Sequence, residues 1–436
     1  MVEFIIFYTT ITAKEWPADY LARSMTLFTM NRIIFLFALT LGPAATAYAR
    51  QFDEERILTH IKVLASDSLQ GRGTGTEGEK MAADYISKTY KSLKLKPAGK
   101  TESYLQPFEF KRGAHGEGEP GTAYNVVGFL DNKAEYTVVI GAHYDHLGIG
   151  EQGNSLDANP SGKIHNGADD NASGVAGVLE LARYFSTNRI REKYNFIFVC
   201  FSGEEMGLYG SKYFTEHAPL DLAKVNYMIN MDMIGRLDPQ TKALAVHGTG
   251  TSPVWEPMLQ KLASDQLKIK TDSSGIGPSD HTSFYLKNIP ALHFFTGAHT
   301  DYHKPTDDWE KINTKGQAAV LTLIAKLINE LDNQPKLAFL TTKAKPMASR
   351  SAFKVTMGIM PSYTADEPGV KVDGVTDGRP GQKAGIQTGD IIIQMGDLII
   401  KDIQDYMGAL GKFDKGQRVP VKVKRNGEVI TLTVNF

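Results

Sequence analysis

Cysteine is almost missing: the 436 residues hold one, Cys200. A lone cysteine forms no intrachain disulfide, so packing and bound ligands must hold the fold together. Cys200 lies in the apolar run Phe196 to Phe201 and reads as a small buried hydrophobe in a strand. No base is placed to make it a nucleophile. An excess of charge is missing too, since 48 basic and 49 acidic residues leave −1. That balance excludes the footprint of a nucleic-acid binder or of a protein resting on an anionic membrane. There is no internal repeat and no low-complexity tract. Hydrophobic content is 42%, ordinary for a globular protein.

The N-terminal region carries an apolar run, Ile33 to Leu41, preceded by Arg32 and followed by Gly42 and Pro43. It ends in Ala47-Tyr48-Ala49 before Arg50. A basic start, a short apolar stretch and small residues around one position form the grammar of a secretory signal, with cleavage expected after Ala49. A bilayer span needs roughly 20 apolar residues, so no stable span is expected in the mature protein. No cysteine follows that would carry a lipid. Residues 1–24 lie outside this grammar, and Met25 and Met30 are alternative starts. The expectation is export, to a periplasm or beyond the cell.

From residue 50 the chain is long enough for one large domain and a smaller one. Asp53 to Leu64 shows helical spacing. A Gly-rich turn, Gly71 to Gly75, leads into a second helix ending near Leu95. Short apolar runs follow as candidate strands: Asn125–Phe129, Tyr136–Gly141, Asn195–Phe201, Val225–Met231, Ala243–Val246 and Ala291–Phe295. Helices at Gly174–Phe185 and about Thr314–Leu331 alternate with them. This rhythm predicts an α/β fold with a mostly parallel central sheet sandwiched by helices, over residues 50–332. Residues 333–351 are polar and aperiodic, with Pro335 and Pro346, and read as a linker. Residues 352–436 form a small β-rich module, with strands at Lys371–Val375, Asp390–Met395, Val419–Arg425 and Glu428–Val434 and a helix near Ile403–Leu410. Asn426-Gly427 between two alternating runs predicts a hairpin.

Five metal-type side chains sit at strand ends or helix starts: His143, Asp170, Glu205, Asp232 and His303. In open α/β sheets such positions converge beyond the carboxyl ends of the strands. Two histidines and three carboxylates suit two divalent cations sharing one carboxylate. Glu204 precedes Glu205, so one glutamate can bind metal while its neighbour acts as general base. Asp145, two residues past His143, is placed to orient that histidine through its other ring nitrogen. Gly167 lets the chain approach closely before Asp169 and Asp170. Asp280 and His281 are either near this site or a structural turn, and His165 reads as a loop residue.

In this order GAHYDH, GADDNASG, FSGEEMGLYGS, NMDMIG and TDYHKPTDD resemble the co-catalytic zinc aminopeptidases. That family includes glutamate carboxypeptidase and the glutaminyl cyclases. The likeness runs from about Ile57 to Leu331 and takes in LASDSLQGRGTGTEG. It implies two Zn2+ per chain, with Asp170 rather than Asp169 as the bridge. His143 and Asp232 would complete one site, and Glu205 and His303 the other. It further implies Glu204 as general base, Asp145 as the orienting carboxylate, Tyr302 as donor to the oxyanion, and a cis peptide between Asp170 and Asn171. About Val355 to Phe436 resembles a PDZ domain, through Met357-Gly358-Ile359-Met360, KAGIQTGDIIIQMGD and the helix near Ile403–Leu410. Such a module implies a C-terminal peptide ligand, from a partner, from a substrate or from the catalytic domain, and a tethering or regulatory role.

The expected activity is therefore that of an exported di-zinc aminopeptidase acting on a peptide or protein substrate. A carboxypeptidase or glutaminyl-cyclase-like relative is the second reading. A non-catalytic binding protein working through its PDZ module is the third.

Overall fold

Apolar strands alternate with amphipathic helices from Phe52 onward, and the computed structural model folds them into layers around a sheet. It describes residues 52–99, 102–112, 118–151, 154–342, 355–361, 367–375 and 378–436. The expected signal segment, its cleavage position and the alternative starts lie outside them.

Helix α1 (Glu54–Leu64) starts where the Asp53 carboxylate accepts the backbone N–H groups of Glu55 and Arg56, and buries Ile57, Ile61 and Leu64. Helix α2 (Glu77–Ser92) is capped by Thr76, and the Glu79 carboxylate reaches back to the Gly75 N–H at 2.7 Å. Both follow the usual rule that a side-chain oxygen satisfies the open donors of a first turn.

The large sheet then forms from β1 (Lys96–Pro97), β2 (Leu105–Lys111), β3 (Pro120–Leu130), β4 (Tyr136–His143) and β5 (Tyr194–Phe201). It continues with β6 (Val225–Met231), β7 (Ala243–His247), β8 (Lys268–Asp272) and β9 (Ala291–Phe295). Its order is β1-β3-β5-β4-β6-β9-β7-β8, with β2 on β3. The centre, β5-β4-β6-β9, is parallel. Antiparallel pairings of β3 with β5 and of β7 with β9 extend it on both sides. β5 and β6 are buried at every position, as strands covered on both faces must be.

Helix α3 (Gly174–Thr187) buries Val175, Val178, Leu179, Ala182 and Phe185, and also Ala176, Leu181 and Glu180. The Glu180 carboxylate is matched by Arg56 at 3.2 Å and Arg183 at 3.0 Å. Such pairing allows a charge inside the layer. Helices α4 (Tyr209–Glu216), α5 (Trp255–Lys261), α6 (His281–Tyr285) and α7 (Thr314–Leu331) complete the layers. Beyond α7, the first residues of the expected linker are held in place: the Leu337 N–H bonds Asn226 Oδ1 at 2.7 Å, and Thr342 Oγ1 lies 3.1 Å from the Tyr285 hydroxyl.

The C-terminal module has a separate core around Met357, Val372, Ile392, Val421 and Val434. Its strands are β10 (Ile359–Pro361), β11 (Val370–Val375), β12 (Ile391–Met395), β13 (Leu398–Ile399), β14 (Arg418–Arg425) and β15 (Glu428–Asn435). Helices α8 (Pro380–Lys383) and α9 (Ile403–Leu410) flank them. The order is β10-β11-β12-β14-β15, with β13 on β12. The β14–β15 hairpin turns through Asn426 and Gly427, both at positive φ. A two-residue hairpin loop requires such angles.

Candidate metal centre

The ends of β4, β5, β6 and β9 deliver the site. His143 is the last residue of β4, while Glu204 and Glu205 follow β5 and Asp232 follows β6. His303 arrives in the loop after β9. Asp170 sits in a short irregular helix before α3, entered through Gly167 at φ 55°. A Cβ at Gly167 would stand 2.1 Å from the Asp170 carbonyl oxygen and 2.5 Å from the His146 ring. A side chain there would push the loop out of place. The Asp170–Asn171 peptide is cis.

Asp170 divides its two carboxylate oxygens between two groups. Its Oδ1 lies 3.3 Å from His143 Nε2, which is also 3.3 Å from Asp232 Oδ1. Its Oδ2 lies 3.1 Å from His303 Nε2, which is 3.2 Å from Glu205 Oε2. All five expected side chains thus meet, with Asp170 shared. Every one is buried except Asp232, which is partly exposed.

The carboxylates and imidazoles of the set act strongly on one another's charge. Burial disfavours charge on His303, but Glu205 and Asp170 outweigh it and push its pKa up to about 10. An opposite charge close by favours the ionised form in this way. His143 is likewise driven well above the ordinary imidazole range, with burial opposing and Asp232 prevailing. Burial also resists ionisation of Asp170 and Glu205, yet the facing imidazoles hold both well below the carboxylate range. Clustered carboxylates with imidazoles aimed between them form a mixed nitrogen and oxygen donor set suited to a divalent ion such as zinc.

The surrounding side chains orient the ligands. His143 Nδ1 faces the backbone oxygen of Asp145 at 3.2 Å, with the Asp145 carboxylate 3.6 Å away. That carboxylate accepts the Thr74 hydroxyl at 2.8 Å and the Glu204 N–H at 3.2 Å. Asp145 therefore faces the His143 ring with both its backbone oxygen and its carboxylate, and the carboxylate also holds the Glu204 N–H. His303 Nδ1 is 2.9 Å from the Asn154 carbonyl oxygen. The Tyr302 ring stacks on His303 at 3.9 Å, beside the ligand set.

Three functional neighbours escaped the sequence reading. His146 is fully buried, with Nδ1 2.9 Å from Glu205 Oε1, and it forms a ligand-type group with Asp170 and Glu205. It lies in the same GAHYDH run, and its proximity to two other candidates was its only signal. Asp307 accepts the N–H groups of Asp169 and Asp170 at 2.9 and 3.1 Å and so fixes the shared carboxylate from behind. Asn154 holds two ligands at once, His303 through its backbone oxygen and Glu205 through its side-chain amide, which donates to the Glu205 carbonyl oxygen at 2.7 Å. His165 is a loop residue, with Nε2 2.7 Å from Ser155 and Nδ1 2.9 Å from the Lys163 carbonyl. Asp280 is buried near the ligands: burial raises its pKa to about 7, His143 opposes the rise, and Asp145 and Asp232 add to it. His281 is held neutral by burial and stacks on His293 at 4.7 Å.

The set opens into a cavity of ≈ 200 Å³ whose lining includes Glu204, His293, Phe295 and Tyr302. Fold and site together define an α/β domain whose strand ends gather two groups of side chains able to hold a metal ion. Residues 125–328 match Peptidase family M28 and residues 355–436 match the PDZ domain. The larger domain is thus similar to peptidases of family M28, and the β-rich module to PDZ domains. Leupeptin-inactivating enzyme 1 of Streptomyces exfoliatus is 30% identical over 265 residues, 60% of this chain and 52% of the relative. Leucine aminopeptidase 2 of Trichophyton equinum is 28% identical over 193 residues, 42% of this chain and 37% of the relative. The chain thus spans between about a third and a half of these relatives' length. The LapA aminopeptidase of Legionella pneumophila superposes with a TM-score of 0.51 at 22% identity, covering 66% of this chain and 74% of that one. A Zn-dependent exopeptidase of Parabacteroides distasonis gives 0.53 at 18% identity, covering 64% and 98%. These structures share the fold.

Proposed function

We propose that this chain is an exported metallo-aminopeptidase that removes N-terminal residues from peptides. The observation that carries the reading is the shared Asp170, one oxygen toward His143 and the other toward His303, with Glu204 beside it in the cavity. His143, Asp232 and Asp170 would hold one zinc ion, and His303, Glu205 and Asp170 the other. Two such ions would polarise the scissile carbonyl and bring the pKa of a water toward neutrality.

The chain's own residues account for the rest. Glu204 takes the proton of the attacking water and returns it to the departing amine. Tyr302 donates a hydrogen bond to the oxyanion of the tetrahedral intermediate. Asp145 keeps His143 and the Glu204 backbone in register. The cavity, at ≈ 200 Å³, lies below the usual size range of small-molecule pockets. The names of the curated relatives above favour an exopeptidase acting at the amino end. The signal-like residues 32–49 support export.

Leucyl-p-nitroanilide and an N-acetylated leucyl peptide, each assayed with and without a chelator, test the reading. Cleavage of the first alone, abolished by chelation and restored by zinc, is expected. Cleavage of the blocked peptide would defeat the aminopeptidase assignment. Glu204→Gln should keep two zinc ions per chain while kcat falls by about 10²–10⁴-fold, the usual contribution of a general base. Loss of a zinc ion in that variant would make Glu204 a ligand instead.

A further inference from the structure

The cavity above the ligand set has a wall that the peptidase domain does not supply. Ile359 and Pro361, both on β10 of the PDZ domain, line it together with Glu204, Tyr302 and His303. Residues 52–436 form one compact unit, so this wall belongs to the folded chain. β10 is an edge strand: it pairs with β11 on one side, and no strand among the described residues pairs with the other. An unpaired edge offers backbone donors and acceptors to an extended chain. The register slips between Met360 and Pro361. Proline brings no N–H to a ladder, so the edge ladder stops at the cavity. The ligand end of the cavity is lined by carboxylates and imidazoles, whereas the β10 end is aliphatic.

We propose that Ile359 and Pro361 are specificity-determining residues of the catalytic site. They form an apolar subsite for the substrate residue that follows the scissile bond, and β10 guides the chain beyond it. This rests on the peptidase reading above. The scissile carbonyl must lie against the ligand set, and the chain leaving it has to pass the wall opposite. The favoured substrates are peptides of three or more residues with an apolar second side chain. The PDZ domain is thereby part of the substrate site as well as a docking module.

The test uses the full-length, zinc-loaded protein and compares KM for the tripeptide Leu-Phe-Gly with KM for leucinamide, which lacks the second residue. Ile359→Ala should raise the ratio of the two KM values about tenfold, the lower end of what loss of apolar contact costs in a pocket, and Ile359→Asp should raise it further. Leu432→Ala loosens the same PDZ core without lining the cavity, and its ratio should stay within twofold of wild type. A ratio unchanged in both Ile359 variants, or a shift reproduced by Leu432→Ala, overturns the proposal while the peptidase reading stands. Wild type that cleaves neither substrate fails the peptidase reading itself.

A binding readout separates the two further. With Glu204→Gln preventing turnover, a thiol introduced by Ile359→Cys should react with a maleimide several-fold more slowly when Leu-Phe-Gly is present. The native Cys200 is buried and does not compete. An unchanged labelling rate would sink the subsite assignment.

Discussion

Glu79 shows what burial does to a single group. It is 2% exposed, and its carboxyl accepts the Gly75 N–H and the Ser202 hydroxyl. Burial raises its pKa well above 4.5, the Asp145 charge adds to the rise, and the two hydrogen bonds oppose it. The folded chain therefore keeps a proton that the unfolded chain has released, so this group's contribution to stability falls as pH climbs above about 4.5. Replacing it by an amide removes that dependence. Glu79→Gln should gain stability relative to wild type between pH 5 and pH 8, read from urea midpoints in the presence of a chelator. A constant difference across that range would count against the raised pKa. The same scale explains what could be read in advance. His143, Asp170, Glu205, Asp232 and His303 each stand in a short polar motif beside an apolar run, which marks a strand end. His146 shares its motif with two candidates already given roles, and nothing separated it from a loop histidine. Asp145 stands beside His143, but how its carboxylate and its backbone share the ring nitrogen depends on a torsion that spacing does not specify.

At the scale of elements, Arg72 joins three segments that spacing alone could not connect. It is 1% exposed and donates to the carbonyl oxygens of Leu64 at the end of α1, Tyr144 after β4, and Asn166 and Gly167 before the shared aspartate. Burial lowers its pKa to about 10, and the charges of Asp170 and Asp145 counter that fall. Removing the guanidinium leaves several buried acceptors unpaired, each costing about 1–3 kcal/mol. Arg72→Met should therefore lose about 3 kcal/mol or more in urea unfolding. It should also weaken zinc binding by calorimetry, because Gly167 leads directly to Asp170. Arg72→Lys should recover only part of it, since an ammonium cannot reach carbonyls in a fork. A variant with unchanged zinc affinity would show that Arg72 holds only the helix. The central strands were legible because they are continuous apolar runs. β1, β2 and β8 were not anticipated: β1 is two residues long, and β2 and β8 carry exposed side chains along an outer part of the sheet. The antiparallel partners that make the sheet mixed lie at those same flanks.

The whole molecule rests on separate cores. Ile324 on α7 packs with α1, α3 and the central strands, whereas Val421 on β14 packs with β11, β12 and β15. This division was visible in the sequence as a change from alternating strands and helices to a β-rich tail with an Asn-Gly turn. That β10 would return to wall the cavity was not, since no local pattern records which surfaces two modules share. Chains with two cores need not unfold in one step. The three tryptophans are Trp16, Trp255 and Trp309, so tryptophan fluorescence is blind to the PDZ domain while far-UV circular dichroism sees both parts. Val421→Ala deletes two buried methyl groups at about 0.8 kcal/mol each plus a cavity term, about 2 kcal/mol together. It should lower the dichroism midpoint of one component and leave the fluorescence midpoint in place. Ile324→Val, at about 1 kcal/mol, should shift the fluorescence midpoint instead. If both substitutions move both signals together, the two cores unfold as one cooperative unit, and the β10 wall is then the first place to look for the coupling.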